Sequence, residues 1–486
     1  MADHHWHPLP SEILCTVFAH LRYDDLEGFT VYRDLVVASL VCRWWRQAAI
    51  EDSSLWDHIN VSVWHYGHVL TFIARAKGRP LSIRVMFDDY GYRSNVYRDF
   101  SAGLDVISAK WNHIRALSLK LGKRCGLNIG SLASSWIGSF SSEHGLPSAL
   151  ESLCIHRDPQ CTSFSFLAGL LARPLPESLK LVHLKGSPIP AHFKFSSLRN
   201  LTQLSLDSTL SASPPTSTHI LEMLRSSPDL EVLQLKTLIT DNGLSSIKAV
   251  SLPRLRYLVL TIYNNLPDML MLFEKLDFSP DACIHLIVQT YLSVPPPILL
   301  RSFTSTLRTS EVSVSTPDGV LTIEVHGVRS NSSLEDAMAH IQFTYPLPIL
   351  TPNKQTVIHT LLKIMDSMAW SRPSHLKVDI AQYHGDPPTA ESWPSLFVRL
   401  ATLESIEAQL VCERGSQENL EEIEAATALI SALSPPRTNS IVCPHLRRLV
   451  FPAIDRKKLT ENFWETMKEC VERRESRGLP SFGVSF

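Results

Sequence analysis

The stretches LPSEIL at residues 9–14, VCRWWR at residues 41–46 and SLW at residues 54–56 decide how this chain folds at its start. Between them, apolar residues recur at helical spacing on more than one face of two predicted helices. A segment of about 50 residues is too short to form a self-sufficient hydrophobic core. We therefore predict that its surplus apolar surface is buried against something else.

The first predicted helix begins near Pro10, because a proline in the first turn loses no hydrogen bond. Glu12 lies in the same turn, near the positive end of the helix dipole. The apolar stripe that follows consists of Ile13, Leu14, Val17, Phe18 and Leu21.

The second helix is predicted to run from about Arg33 to Ile50 as one long element. It has two apolar faces, one formed by Leu35, Ala38, Cys42, Trp45 and Ala49 and the other by Val37, Val41, Trp44 and Ala48. A helix that is apolar on two faces is typically buried. Packing of both helices on the rest of the chain remains an alternative from the pattern alone.

The opening block resembles an F-box, the adaptor-binding motif of substrate receptors in cullin-RING ubiquitin ligases. The matching residues are Leu9-Pro10, Glu12-Ile13-Leu14, Phe18, Leu21, Asp25-Leu26, Val41-Cys42-Arg43, Trp45-Arg46 and Leu55-Trp56. The block looks most like the divergent F-box-like form that is common in basidiomycete fungi. The stretch between Leu26 and Val41 is longer than in the compact motif, which predicts an extended middle helix or a loop.

The resemblance implies that this block binds a Skp-type adaptor and, through it, a cullin. The implied adaptor-binding residues are Leu9, Pro10, Ile13, Leu14, Phe18, Leu21, Val41, Cys42 and Trp45. Complete burial of five or six large apolar side chains would contribute roughly 10 kcal/mol before the costs of association. Because a bare apolar stripe promotes aggregation, we expect the chain to be insoluble or self-associated without its adaptor.

Composition excludes several other classes of protein. The chain has 486 residues, of which 44% are hydrophobic and 19% are charged, with a formal net charge of −2. No Lys/Arg run indicates nucleic-acid or membrane-surface binding, and no apolar run is long enough for a membrane span. The start lacks a signal-peptide pattern, and the nine cysteines contain no Cys-x-x-Cys pair. We therefore expect a reduced protein in the cytoplasm, the nucleus or both.

The rest of the chain repeats a short pattern, apolar-x-x-apolar-x-apolar, which alternates as a strand does. Copies begin at Ile114, Leu150, Leu179, Leu201, Leu230, Leu255, Cys283, Leu403, Leu446 and Leu479. Most of the earlier copies are spaced near the leucine-rich-repeat period, and several intervening stretches can be helical. Stacked units of this kind bury together an apolar face that one unit cannot bury alone.

The predicted fold is therefore α/β, with a short all-α F-box-like block at residues 1–60 and an irregular leucine-rich-repeat-type solenoid at residues 61–486. An ordinary α/β domain with leucine-rich strands is the alternative. The repeat is blurred from about 290 to 400, so a domain break near 290–300 stays open. Within this region, alternation at 310–315 and 320–325 around Thr-Pro-Asp-Gly predicts a β-hairpin.

No sequence pattern indicates catalysis, a metal or a cofactor. The chain has no Gly-x-Ser-x-Gly elbow, phosphate-binding loop or His-Glu-x-x-His site. Cys154, His156 and Cys161 lie close together in sequence, but Cys154 occupies a strand position and packing is the better interpretation. An Ala2-Asp3-His4 terminus could chelate Cu(II), although a plain polar tail is the preferred interpretation.

These predictions together describe the substrate-recognition subunit of a Skp-cullin-F-box type ubiquitin ligase, which has no catalytic residues of its own. An unknown protein substrate would bind at outward-facing strand positions, for which Ser118, Ser205, Gln234 and Val259 are candidates. The alternative from another class is a leucine-rich interaction scaffold outside any ligase, with the opening helices serving as its cap.

Overall fold

The structure is a computed structural model, and it describes part of the chain. The described residues are 9–23, 31–61, 66–87, 94–122, 135–136, 146–158, 161, 175–186, 198–208, 215–237, 248–263, 272–273, 275–279, 281–289, 307–315, 320–329, 338–346, 373–379, 393–409, 418–434, 442–452 and 454–486.

Five helices precede or interrupt the first strands, and four more follow later in the described residues. The helices are α1 (Ser11–Tyr23), α2 (Val31–Ser39), α3 (Arg43–Glu51), α4 (Tyr66–Arg75) and α5 (Ser94–Ser108), and then Ser217–Arg225, Trp393–Arg399, Glu418–Leu433 and Glu461–Glu475.

The strands lie along the whole described chain after α3. They are β1 (His58–Val61), β2 (Leu81–Phe87), β3 (Ile114–Leu121), β4 (Ser152–Arg157), β5 (Leu181–Lys185), β6 (Gln203–Ser208), β7 (Val232–Thr237), β8 (Val250–Leu252), β9 (Tyr257–Tyr263), β10 (Leu276–Phe278), β11 (Cys283–Gln289), β12 (Leu307–Ser315), β13 (Val320–Arg329), β14 (Met338–Pro346), β15 (His375–Asp379), β16 (Ser405–Gln409), β17 (Arg448–Val450) and β18 (Gly483–Ser485).

The chain divides into two compact units, residues 1–215 with 222–230 and residues 216–221 with 231–486. In the first unit, strands β1 to β6 are hydrogen-bonded in chain order, and every neighbouring pair is parallel. Parallel neighbours in chain order require a crossover after each strand, as in a repeat array.

The second unit contains a similar parallel sheet with an antiparallel insertion. Its strands are ordered β7-β9-β11-β14-β13-β12-β15-β16-β17-β18, and β13 is antiparallel to both of its neighbours. The pairing of β12 with β13 confirms the predicted hairpin, whose turn at 316–319 lies outside the described residues. Strands β8 and β10 form a separate parallel pair.

Six copies of the pattern share one local geometry, in which the first apolar residue lies in a turn and not in the strand. Its N–H donates to the carbonyl three residues earlier, as at Leu150, Leu179, Leu230, Leu255, Leu403 and Leu446. All six of these leucines are at most 1% exposed. The three-residue spacing at the start of the pattern therefore encodes a turn, and only the two-residue spacing after it encodes the strand.

A second recurring contact connects successive repeats. The Glu151 carbonyl accepts hydrogen bonds from the N–H groups of Lys180 and Leu181, at 2.8 and 2.9 Å. The Glu231 carbonyl accepts in the same way from Arg256 and Tyr257, at 2.8 and 3.1 Å. These paired bonds align each strand with the next one, because they satisfy two donors at the point where the next strand begins.

The predicted fold class is confirmed: a helical block opens the chain, and parallel strands built on the repeat pattern follow it. Six strands, β1, β2, β8, β10, β14 and β15, were not expected from the pattern. The predicted borders at residue 60 and near 290–300 stay predictions, and residues 290–300 lie outside the described residues.

One predicted element is wrong. The single helix expected from Arg33 to Ile50 is two helices, α2 and α3, separated at residues 40–42. Tight turns close there, with Leu40 N–H on the Val37 carbonyl at 2.9 Å. Cys42 is extended and caps α3, its Sγ accepting from the Trp45 N–H at 3.5 Å. The sequence did not reveal this break because α2 and α3 each bury one face in the same block. Apolar residues therefore recur at helical spacing on both sides of it.

Candidate functional site

The helical block has an inner side that is fully packed. Leu14 and Phe18 of α1 are 0% exposed, as is Leu35 of α2. The Phe18 ring meets Trp45 of α3 edge to face, with centroids 5.6 Å apart. Thus α1, α2 and α3 form a small core of their own.

The base of the block packs against the strands and helices that follow it in the first unit. Trp56 is fully buried, and its indole N–H donates to the Ala49 carbonyl at 2.6 Å. Its ring lies 5.0 Å from that of Phe72 on α4, and the Arg75 guanidinium is 4.3 Å from its centroid. Trp56 therefore connects α3 to α4 and anchors the helical block on the first unit.

The outer side of the block is apolar and exposed. Among the side chains that the structure describes, nine large apolar ones are exposed, and seven of these lie within residues 9–44. They are Leu9 (50% exposed), Ile13 (50%), Val17 (40%), Val37 (54%), Leu40 (62%), Val41 (62%) and Trp44 (43%). We call these seven residues the outer face. Such a concentration is typical of interaction sites, since isolated exposed apolar residues are normal but clusters are not.

A hydrogen bond connects two parts of the outer face that are far apart in sequence. The Trp44 indole N–H donates to the Leu9 carbonyl at 2.9 Å, so the start of α3 is tied to the segment that precedes α1. Ile13 and Val17 follow on the same side of α1, one turn apart. Val37, Leu40 and Val41 lie at the end of α2 and in the turn that leads to Trp44.

The nine predicted adaptor-binding residues fall into three groups. Leu9, Pro10, Ile13, Val41 and Cys42 are exposed, Leu21 and Trp45 are partly buried, and Leu14 and Phe18 are completely buried. Only the first group presents substantial surface in the free chain. Leu14 and Phe18 shape the surface from beneath, by holding α1 against α2 and α3. Adaptor contact by these nine residues stays a prediction.

The prediction left out four outer-face residues: Val17, Val37, Leu40 and Trp44. Val17, Val37 and Trp44 lie on the predicted apolar stripes, so the helical period contained the signal for them. Leu40 was not predicted because the break between α2 and α3 was not expected.

A polar contact below the outer face joins α1 to the end of α3. The Asp52 carboxylate accepts from the Ser54 N–H at 2.9 Å and from the Ser54 hydroxyl at 2.6 Å. Burial opposes ionisation, but these bonds, with a hydrogen bond from Cys15 and the positive charge of Arg79, lower the pKa of Asp52 overall. Burial and the Asp52 contact raise the pKa of the Cys15 thiol to about 11. The thiol is therefore a packing group and is not poised to react.

The strand positions predicted to face a target are placed as follows. Ser118, Ser205 and Gln234 are partly exposed on their strands. Val259 is only 4% exposed, although its register aligns it with Gln234, so the expectation that it offers outward surface is wrong. Thr261, two residues along the same strand, is also buried, so this part of the β9 face is covered.

Neither a metal site nor a membrane-spanning helix is found within the described ranges. No group of three His, Cys, Asp or Glu residues there could hold a metal ion. Cys161 is buried, and its carbonyl accepts from the Arg157 guanidinium at 2.9 Å, a structural contact. No described helix has both the length and the apolar character that a membrane crossing requires.

Comparisons with known proteins support the interpretation of the helical block. The family model described as F-box-like matches residues 6–62, which include the whole outer face. No curated protein matches the chain. Among solved structures, the chain is similar to the leucine-rich repeat-containing protein LegL7 from Legionella pneumophila, at 11% identity and a TM-score of 0.24, over 85% of this chain and 97% of that one. A TM-score of this size is too low to carry an inference.

Proposed function

We propose that this chain is the substrate-recognition subunit of a Skp-cullin-F-box type ubiquitin ligase, and that its outer face docks a Skp-type adaptor. The observation that carries the proposal is the outer face itself, seven exposed apolar side chains inside the residues that match the F-box-like family model. The two observations are of different kinds, since one is a match of residue order and the other is the exposure of side chains in the structure. The basidiomycete type of F-box-like block stays part of this proposal.

The free energy gained by burying the outer face is too small to bind a partner without other contacts. Its side chains are about half exposed, so burying the remainder of each contributes about 1 kcal/mol, or roughly 7 kcal/mol in total. Association costs about 4–15 kcal/mol. The seven residues therefore need help from polar contacts at their rim, where exposed Glu12, Arg43 and Arg46 lie. This requirement favours a specific partner over indiscriminate apolar sticking.

The mechanism that follows is proximity. The adaptor and cullin would hold the chain near a ubiquitin-charged conjugating enzyme, while the strand-bearing units would hold a protein target. Bringing the target's lysines to that enzyme raises their effective concentration without any bond chemistry in this chain.

The direct test is capture of a purified Skp-type adaptor by the full-length chain. We expect that the double variant Ile13→Asp with Val41→Asp reduces adaptor capture at least tenfold, because two carboxylates would be buried against an apolar partner. Both residues are half exposed or more, so the variant should still fold.

A matched control separates this effect from a general loss of apolar surface. Leu70 on α4 and Val398 are 49% and 51% exposed, and both lie outside residues 6–62. The double variant Leu70→Asp with Val398→Asp makes the same chemical change and should leave capture unaltered. Equal losses in the two double variants, or no loss in either, would contradict the proposed docking face.

Cys42 provides a second readout without changing the sequence. It is an exposed free thiol at the start of α3, next to Val41. We expect N-ethylmaleimide to label Cys42 in the free chain and the bound adaptor to protect it, as measured by peptide mass mapping. Labelling that continues at the same rate in an adaptor-saturated sample would place the adaptor elsewhere or nowhere. That result, together with failed capture, would favour an interaction scaffold outside any ligase.

A further inference from the structure

The solvent face of the sheet in the first unit carries an unusual distribution of charge. On β2 to β5, every second residue points away from the buried leucines. At these positions the described strands hold Ser82, Arg84, Met86, Ala116, Ser118, Lys120, Ser152, Cys154, His156, Leu181, His183 and Lys185. None of these twelve residues is acidic, and three carry permanent positive charge. The nearest carboxylates are Glu151, which precedes β4 and forms an ion pair with Arg115, Asp158, just after β4, and Asp207 on β6, which is in register with Lys185.

Register brings two of the cations to either side of a histidine. Lys120 on β3 pairs with His156 on β4, and His156 pairs with Lys185 on β5. Paired residues on neighbouring strands are about 5 Å apart and share a face. Burial, and then the charges of Lys185, Lys120 and His183, lower the pKa of His156, while Asp158 acts in the opposite direction. The ammonium groups of Lys120 and Lys185 are therefore both close enough to His156 to lower its pKa.

The third cation reaches over the neighbouring strand. Arg84 on β2 pairs with Ser118, which pairs with Cys154 on β4. Burial raises the pKa of the Cys154 thiol, but the charge of Arg84 opposes that rise from two strands away. The short side chain of Ser118 leaves room for this approach. Arg84 thus lies in one row of paired residues with Ser118 and Cys154, and Lys120 and Lys185 lie in the next row on the same face.

We propose that this face, defined by Arg84, Lys120, His156, His183 and Lys185, binds an acidic segment of a protein partner. Charge complementarity supports that occupant, because the described residues of β2 to β5 place these three cations and no carboxylate on this face, and Asp207 at its edge is in register with only one of them, Lys185. All five residues are at least partly exposed. The inference rests on the proposed function in one respect: it identifies this partner with the target that a substrate receptor would present.

The test uses the full-length chain, produced together with a Skp-type adaptor, and a fluorescent peptide of twelve residues rich in glutamate. A peptide with glutamine at each glutamate position is the matched probe. We expect anisotropy to show binding of the acidic peptide only, and about tenfold weaker binding when NaCl rises from about 0.05 to 0.5 M, because salt screens exposed charges.

Variants then locate the interaction. Lys120→Gln with Lys185→Gln should weaken acidic-peptide binding about tenfold, since each exposed charge contributes up to about 1 kcal/mol. Lys110→Gln with Lys180→Gln removes the same charge from exposed lysines off this face and should have less than a twofold effect. Lys120→Arg with Lys185→Arg keeps both charges and should retain binding, which excludes a folding defect as the cause.

Each remaining outcome is decisive. Equal weakening by the two glutamine pairs, or equal binding of the glutamine peptide, would overturn the acidic-segment face. So would tighter binding of a single-stranded oligonucleotide that depends on the same two lysines, because the partner would then be nucleic acid. The outer-face variant Ile13→Asp with Val41→Asp should leave peptide binding intact. Lost adaptor capture with retained peptide binding, or the reverse, therefore distinguishes failure of one proposal from failure of the other.

Discussion

The helices at the two ends of the chain expose their large apolar side chains very differently. The N-terminal helices leave seven large apolar side chains exposed. In the described residues from 442 to 486, no large apolar side chain is exposed, and the helix Glu461–Glu475 places Glu469, Glu472 and Arg473 toward water. The C-terminal helix thus behaves as a cap with a polar outside, whereas the N-terminal helices have an apolar outside.

The interior of the C-terminal cap explains how it closes without a partner. Phe463 and Phe451 are fully buried and lie 6.2 Å apart, and Phe486 stacks on Phe451. Arg474 is also fully buried, with its guanidinium on the carbonyls of Val442 and Cys443 at 3.1 and 2.9 Å. The N-terminal block has no equivalent aromatic closure over its outer face among the described residues.

The largest expected effect tests the difference between the buried and exposed sides of α1. Phe18→Ala should lower the free energy of unfolding of the block by about 3–5 kcal/mol, because it empties a fully buried site. Val17→Ala, at the exposed neighbour, should cost less than about 1 kcal/mol. Amide hydrogen exchange of residues 11–23 measures both. If Val17→Ala were as damaging as Phe18→Ala, the outer face would be internal packing and not a free surface.

A smaller effect tests the closure of the C-terminal cap. Arg474→Leu should lower the free energy of unfolding by about 2–4 kcal/mol, because it leaves two buried carbonyls without donors. Arg473→Leu, at the next residue, removes an exposed ion pair with Glu469 and should change stability by less than about 0.5 kcal/mol. Urea unfolding of the second unit reports both values. Similar midpoints for the two variants would show that Arg474 does not hold the cap together.

The smallest effect concerns the support of the N-terminal block. Asp52→Ala removes the cap of the short helix Ser53–Leu55 and should cost about 1 kcal/mol at pH 7. Because hydrogen bonds lower the pKa of Asp52 in the folded chain, its contribution is present above its unfolded pKa and is lost as pH falls through the folded value.

The difference between wild type and Asp52→Ala should therefore shrink below about pH 4, as urea unfolding at pH 7 and pH 3 would show. Asp52→Asn keeps a capping group that does not titrate, so its stability should be high at pH 7 and should lack this acid-dependent loss. A pH-independent difference between Asp52→Ala and wild type would contradict the role assigned to the carboxylate.

Much of the architecture was predictable from local spacing. The alternation in copies such as Leu117-Ser118-Leu119 predicts strands, because residues two apart share one face of a sheet. The order β14-β13-β12 in the second sheet was not predictable in the same way. Only the pairing of β14 with β11 and of β12 with β15 determines it, and these strands are far apart in sequence.

The candidate site also has features that the sequence predicted and features that only the structure revealed. The sequence by itself determined that α1 is an apolar helix within an F-box-like block, since helical period and residue order are local properties. Only the tertiary structure decided that Leu14 and Phe18 point inward while Ile13 and Val17 point outward. All four are large and apolar, so hydrophobicity cannot rank them. Their burial depends on where α2 and α3 pack around α1, and successive residues on a helix are about 100° apart.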